Sequence, residues 1–295
     1  MRSRARSYKP KTASIEAIEV HTSDGIALRA TVQEGFGPAR GTAILAHGEF
    51  GSRRAFEARA GGFAKYLTLR GWRTVAFDFR GHGESGPADF TYDDLVRGDL
   101  ATVASCARAR WSGPLAVVGH ALGGHVALAG CGTSVVDADA VALVGSNVWL
   151  PQLEPSDVRW RAKRAAMEFF ATVVQAHGYF PARSMGLGSE DEPASLMNAA
   201  VRAAREGTWR SEDGSLDYER ALGQVRVPVL AVASAADEFR CAPECAERML
   251  SRCAGPRDFR VIAHDDEGGR APRDLIAGRR ASNVWATVAD WLESI

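Results

Sequence analysis

The chain has 295 residues, 46% of them hydrophobic, which is enough to bury a large core as one domain with an insertion. Lys plus Arg and Asp plus Glu both number 36, so no net field favours nucleic acid or a membrane surface, and a small molecule is the expected partner. No run approaches the roughly 20 apolar residues that cross a bilayer. The basic segment 1–11 lacks the apolar stretch of a secretory signal, so it reads as a frayed arm on a cytoplasmic protein.

Short apolar runs alternate with longer helical patterns along the chain. Residues 26–32 and 42–46 read as strands, 55–69 as a helix stopped by Gly71, and 72–77 as the next strand. Residues 92–110 read as one helix with Thr91 available as its N-cap, 115–118 as a buried strand, 122–129 as the start of a helix and 140–144 as a strand. This rhythm predicts an α/β fold, a doubly wound, mostly parallel sheet with right-handed crossovers. The rhythm then breaks. Residues 151–223 hold no convincing strand but two helical stretches, 158–176 and 193–206, and are expected to form a helical cap inserted between late strands. It resumes with strand 227–233, helix 243–250, strand 259–263 and helix 281–292, so 1–150 and 224–295 make the expected core. An insertion there sits over the carboxyl ends of the strands, where open α/β sheets bind ligands.

Five cysteines (Cys106, Cys131, Cys241, Cys245, Cys253) show no C-x-x-C spacing, which argues against a zinc site and a disulfide framework. His47, His82, His120 and His125 cluster in sequence without metal-ligand spacing, so no metal is expected. The segment Gly119-His120-Ala121-Leu122-Gly123-Gly124 follows a predicted strand and opens a helix. Its small residues meet the needs of a strained turn in which strand and helix backbones approach closely.

Four motifs in order carry a resemblance: His47-Gly48-Glu49 after one strand, Asp78 to Ser85 reading D-x-R-G-x-G-x-S after the next, the 119–124 turn, and Ser234 to Glu238 at a late strand end. Together they make the chain similar to the α/β-hydrolase superfamily over nearly its full length. The stretch 145–188, with Trp149 and Gly178-Tyr179-Phe180-Pro181, is similar to a bacterial subgroup of it. The resemblance implies that 119–124 is the nucleophile elbow, with Ala121 standing where the serine would be. It implies oxyanion amides at Leu122 and Glu49, with His47 and His120 lining the same region.

The resemblance also implies Asp237 as the acid that orients a histidine, although a turn or helix-capping aspartate would look the same. Asp265 and Asp266 are weaker acids for that role. His264 is the base candidate but lies early, close to the strand; otherwise Asp266 or Glu267 takes its place and the base is missing. Glu49 is an unexpected residue in an oxyanion turn, because its carboxylate opposes a developing negative charge unless it turns away; it reads equally as a solvated loop residue.

The implied activity is that of an ester or thioester (acyl) hydrolase in a form lacking its nucleophile, with no cofactor. Ala121 has two explanations: serine replaced by alanine in an otherwise complete triad, or a native alanine on a fold kept for other work. The alternative function is therefore a ligand-binding pseudo-hydrolase, or an acid-base lyase, isomerase or cyclase without a covalent intermediate. Hydrolysis by a Ser-His-Asp mechanism is not expected of this chain. Cap aromatics Trp149, Trp160, Phe169, Phe170, Tyr179 and Phe180 read as an apolar pocket or as core packing. Substrate and oligomeric state are not legible.

Overall fold

The computed structural model describes residues 14–86, 89–263, 275–277 and 281–295. Its centre is an eight-stranded sheet: β1 (Ser14–His21), β2 (Ala27–Glu34), β3 (Thr42–Ala46), β4 (Arg73–Phe77), β5 (Leu115–His120), β6 (Ala140–Val144), β9 (Val229–Ser234) and β10 (Arg257–Ile262). Their spatial order is β1-β2-β4-β3-β5-β6-β9-β10. The pairs β1/β2 and β2/β4 are antiparallel and the remainder parallel, so the mostly parallel α/β sheet read from the sequence is present.

The central strands are buried at every residue because both faces are covered, which is why they read as continuous apolar runs rather than alternating ones. Period two survives as a division between faces. Ile44, Val75, Val117 and Val141 join one cluster with α2 (Ala101–Arg110) and α3 (Leu122–Gly132). Leu45, Ala76, Val118 and Ala142 join another with α1 (Arg54–Leu69) and α8 (Ala281–Leu292). Each large apolar side chain so buried contributes about 1.5–3 kcal/mol.

Two elements differ from the sequence expectation. Strand β1 lies in no predicted run; apart from Val20 and the partly buried Ile18 it faces solvent, and an edge strand with one wet face carries little apolar signal. The single helix expected over 92–110 is a π-helical turn, Asp94–Leu100, running into α2. Thr91 does not cap it as an acceptor. Its amide and hydroxyl both donate to Asp94 Oδ2, at 2.8 and 2.9 Å.

Between β6 and β9 lie a 3₁₀ turn (Pro151–Leu153), α4 (Asp157–His177), β7 (Tyr179–Phe180), β8 (Glu192–Pro193), α5 (Ala194–Glu206), α6 (Tyr218–Ala221) and a second 3₁₀ turn (Leu222–Gln224). The regular structure of the segment is helical apart from the two-residue pairing of β7 with β8 and an isolated bridge between Arg210 and Asp217, both too short to show a periodicity. Helix α4 starts at Ser156, whose hydroxyl accepts from the Arg159 amide, and stops at Gly178 with φ of 78°. Helix α7 (Pro243–Leu250) begins with proline at N1, where no amide partner is lost. Among the described residues, no helix is long and apolar enough to cross a membrane.

Candidate active site

The chain runs from β3 outward to β4 and then returns to place β5 on the other side of β3. That reversal makes the carboxyl ends of β3 and β5 a topological switch point, the usual ligand crevice of an open α/β sheet. The loop after β3 is His47-Gly48-Glu49, and the turn after β5 carries Ala121. Sheet topology alone therefore brings the two motifs together.

Ala121 has φ of 44° and ψ of −112°, one of three non-glycine residues with positive φ among those described. Such backbone costs about 1–3 kcal/mol and persists only where its surroundings enforce it. Here the Ala121 amide donates to the Val144 carbonyl at 3.0 Å, and its carbonyl accepts from Ser146 Oγ at 2.7 Å. A Cβ on Gly119 would lie 2.3 Å from the Gly124 nitrogen, and one on Gly123 would lie 2.2 Å from the Ala46 carbonyl oxygen. The turn has the sharp strand-to-helix form of an elbow, and it projects a methyl group.

Leu122 begins α3, so its amide is one of the orphan donors of a helix N-terminus. It donates to Glu49 Oε2 at 3.3 Å. Glu49 therefore does not turn away. Its carboxylate, 39% exposed as a side chain, sits on the amide expected to serve an oxyanion, and its other oxygen lies 3.9 Å from His125 Nε2. Desolvation opposes its charge, but the His125 side chain, its own backbone amide and His120 hold its carboxyl below the ordinary range. His125 is buried on α3, one helical turn after Ala121, and its Nδ1 meets the Tyr92 hydroxyl at 3.0 Å. Tyr92 and Trp209 pack on the ring, Trp209 edge-on.

The other histidines of the 47–125 group are engaged in structure. His47, expected to line the pocket, is fully buried: Nδ1 donates to the Gly48 carbonyl at 2.9 Å and Nε2 accepts from the Phe79 amide at 3.0 Å. Burial and the neighbouring His82 hold its pKa far below the ordinary value, so it is a neutral brace between two loops and offers nothing to a ligand. His120 packs against Gly48, where an added Cβ would stand 3.0 Å from its Nδ1. His82 bonds the Arg80 carbonyl through Nδ1 and both Glu192 oxygens through Nε2 at 3.1 Å. Burial works against its charge, but the Glu192 carboxylate overrides this and raises its pKa.

Glu192 Oε1 also accepts from the Phe50 amide at 2.7 Å, and the Phe50 carbonyl accepts from the Ser189 and Glu190 amides. The segment expected as a cap thus grips the residue after Glu49 on both sides. Phe50 itself has φ of 59°.

The D-x-R-G-x-G-x-S loop spends its polar groups internally. Buried Asp78 accepts from the Arg53 and Glu84 amides and pairs with the Arg53 guanidinium. Arg80 pairs with Asp99 at 2.7 Å and with Asp24.

Asp237 follows β9, as expected. Its Oδ1 accepts from the Phe239 and Arg240 amides at 3.2 and 2.8 Å, the turn arrangement that was its alternative reading. The base candidate His264, with Asp265, Asp266 and Glu267, lies outside the described residues. Cys241 and Cys245 are both buried, and Cys245 Sγ lies 3.2 Å from Glu154 Oε2. Among the described residues no group of three or more His, Cys, Asp or Glu is placed to hold a metal. The aromatic positions divide: Phe180 is buried against Phe50 and Phe170, whereas Phe169 and Tyr179 are exposed. Tyr92 and Glu192 carried no sequence signal for the site. His125 did, through its one-turn offset from Ala121.

Solved structures share this architecture. An esterase of Pyrococcus furiosus is 17% identical, covering 96% of this chain and 91% of its own, with a TM-score of 0.63. A thermophilic esterase from Thermogutta terrifontis, solved with malate bound, is 19% identical over 95% of this chain and 98% of its own, with a TM-score of 0.61. A Butyrivibrio proteoclasticus protein solved with ferulic acid bound is 16% identical over 94% and 98%, with a TM-score of 0.65. No curated protein matches by sequence. The profile of the alpha/beta hydrolase family matches residues 43–284, which span the sheet from β3 onward, the elbow and the segment inserted after β6. With that match added to the sheet order and the turn at Ala121, the chain belongs to the alpha/beta hydrolase family.

Proposed function

We propose that the chain is an ester or thioester hydrolase-like scaffold, with residues 151–223 as its cap, that lacks the nucleophile and as it stands binds an acyl-type small molecule rather than hydrolysing it. The observation that carries this reading is the Glu49 carboxylate on the Leu122 amide, 3.3 Å apart, beside a methyl at position 121. A carboxylate there opposes an oxyanion, and loss of a triad nucleophile costs on the order of 10⁶ in turnover. The carboxylic acids bound in two structural relatives are consistent with an acyl pocket. In a serine form, residue 121 would attack the acyl carbon, His264 would carry the proton, Asp237 would orient the imidazole, and the Leu122 and Glu49 amides would hold the oxyanion.

The test is p-nitrophenyl butyrate hydrolysis by the chain, by Ala121→Ser and by Ala121→Ser/Glu49→Ala. The chain is expected at the buffer rate and the double variant at least roughly 10³-fold above it. A folded double variant as inert as the chain would sink the reading.

A second reading, acid-base lyase, isomerase or cyclase chemistry without a covalent intermediate, is favoured by one observation: Glu49 stands beside His125 with Tyr92 behind it. Under it, the unmodified chain turns over a substrate and Glu49→Gln abolishes that turnover.

A further inference from the structure

Helix α4 runs for 21 residues, of which only Lys163 and Val174 are buried. The opposite face carries Val158, Ala162, Ala165, Phe169, Thr172 and Ala176, all exposed, with Val158 at 77% and Phe169 at 52%. Exposed apolar residues scattered singly mean little, but a continuous stripe marks a surface made to be covered. Its steps alternate between four and three residues from end to end, the period of a seam that meets another helix. Thr172 fits the stripe because its hydroxyl donates to the Glu168 carbonyl of its own helix. Along one flank of the seam stand Arg161 and Glu168, one heptad apart. Glu168 holds Arg205 through both oxygens, and Arg161 forms no ion pair among the described residues.

We infer that this face of α4 is an interaction surface whose occupant is α4 of a second copy of the chain, packed antiparallel about a two-fold axis between residues 163 and 164. A two-fold dimer presents one patch twice, so the patch must complement itself. The charges meet that condition in one arrangement. With the helices antiparallel, the Arg161 flank of one copy meets the same flank of the other, and Arg161 of each faces Glu168 of its partner, twice by symmetry. Parallel packing of the two seams would set this flank against Ala166 and Val173, where Arg161 gains nothing. The antiparallel register also matches sizes: Val158 of one copy packs on Phe169 of the other, and Ala162 on Ala165, so the alanines between let the backbones approach closely. Glu168 need not release Arg205, because a carboxylate has about four acceptor sites. The formal charge of zero sets no long-range repulsion between copies. A flank that mixes both signs suits a second copy better than an anionic lipid surface, which Glu168 would repel. The seam is short, so the dimer is expected to be weak, with a roughly micromolar dissociation constant.

Sedimentation velocity of the full chain from about 1 to about 200 μM tests the surface, with the parent expected to pass from monomer to dimer across that range. Phe169→Glu, at an exposed position, should leave thermal unfolding unchanged and weaken the dimer at least about tenfold. Arg161→Glu and Glu168→Arg should each weaken it, because each sets like charges face to face. The combined variant Arg161→Glu/Glu168→Arg should return to within about threefold of the parent, since the exchanged charges again oppose each other. A parent that stays monomeric at about 200 μM would overturn the inference, as would a dimer indifferent to Phe169→Glu. A dimer that the charge exchange fails to restore would overturn the antiparallel register. Binding of the monomeric parent to phosphatidylglycerol vesicles, lost in Phe169→Glu, would give the face to a lipid surface and overturn the inference as well.

Discussion

Two polar clusters in this protein are built from similar residues and have opposite characters. At the foot of α4, Glu154 Oε2 accepts from Lys163 Nζ at 2.8 Å and from Cys245 Sγ, and its Oε1 accepts from Arg159 and the Ser156 amide. Lys163, 1% exposed, lies over the Trp149 ring at 5.3 Å, and Arg159 reaches on to Glu244. Nearly every polar atom in this cluster has a partner inside it. At the elbow, Glu49 bonds the Leu122 amide and stands beside His125 Nε2 at 3.9 Å, and its carboxylate stays partly exposed. A closed network ties the 151–223 segment to α7 and serves the fold. An open one, placed at the switch point of the sheet, is where a ligand has something to gain.

This contrast makes graded predictions. The largest effect belongs to the closed cluster: Glu154→Ala strands the Lys163 ammonium without its carboxylate and is expected to cost about 3–5 kcal/mol in urea unfolding. Glu49→Ala, at the open cluster, should stay within about 0.5 kcal/mol of the parent. Equal losses would erase the distinction.

Acid sharpens the same point. Burial opposes the Glu154 charge, but Arg159 and Lys163 hold its carboxyl down at about 2 in the folded protein, against 4.5 for an ordinary glutamate. Its contribution, roughly 3 kcal/mol, is fully present above pH 4.5 and disappears as pH falls toward 2. Glu154→Gln should flatten that acid limb. His82 acts at the other end: its pKa is raised, so its pairing with Glu192 stabilises fully below pH 6.5 and weakens as pH rises through the folded value. His82→Gln should remove the alkaline decline.

The elbow itself yields smaller changes. Gly119→Ala drives a Cβ into the Gly124 backbone and is expected to cost about 1–3 kcal/mol by thermal unfolding. Ala121→Gly should instead raise stability by up to about 1 kcal/mol, because glycine accepts positive φ without strain.

What the sequence made legible was local. The strand and helix rhythm, the elbow glycines, the helix starts at Pro243 and Ala281 and the order of the loop motifs each depend on residues a few positions apart. Contacts between distant segments were hidden. His82 and Glu192 are separated by 110 residues, and neither carries a local pattern that announces the other. Glu49 was conspicuous by type, but only the fold decides where its carboxylate points. Strand β1 was missed for want of a long apolar alternation, and the π-helical turn because seven residues are too few to separate an i→i+5 helix from an i→i+4 one by period. The histidine most visible after the cap, His264, falls outside the described residues, so the relay at that end rests on sequence alone.

The central claim is that Glu49 holds the Leu122 amide. It is tested most directly by following the Leu122 amide proton by NMR from pH 3 to 7 in the parent and in Glu49→Ala. The parent signal should titrate with an apparent pKa below 4.5, and the titration should vanish in the variant. An amide that does not titrate, or one that titrates equally in both proteins, would contradict the account.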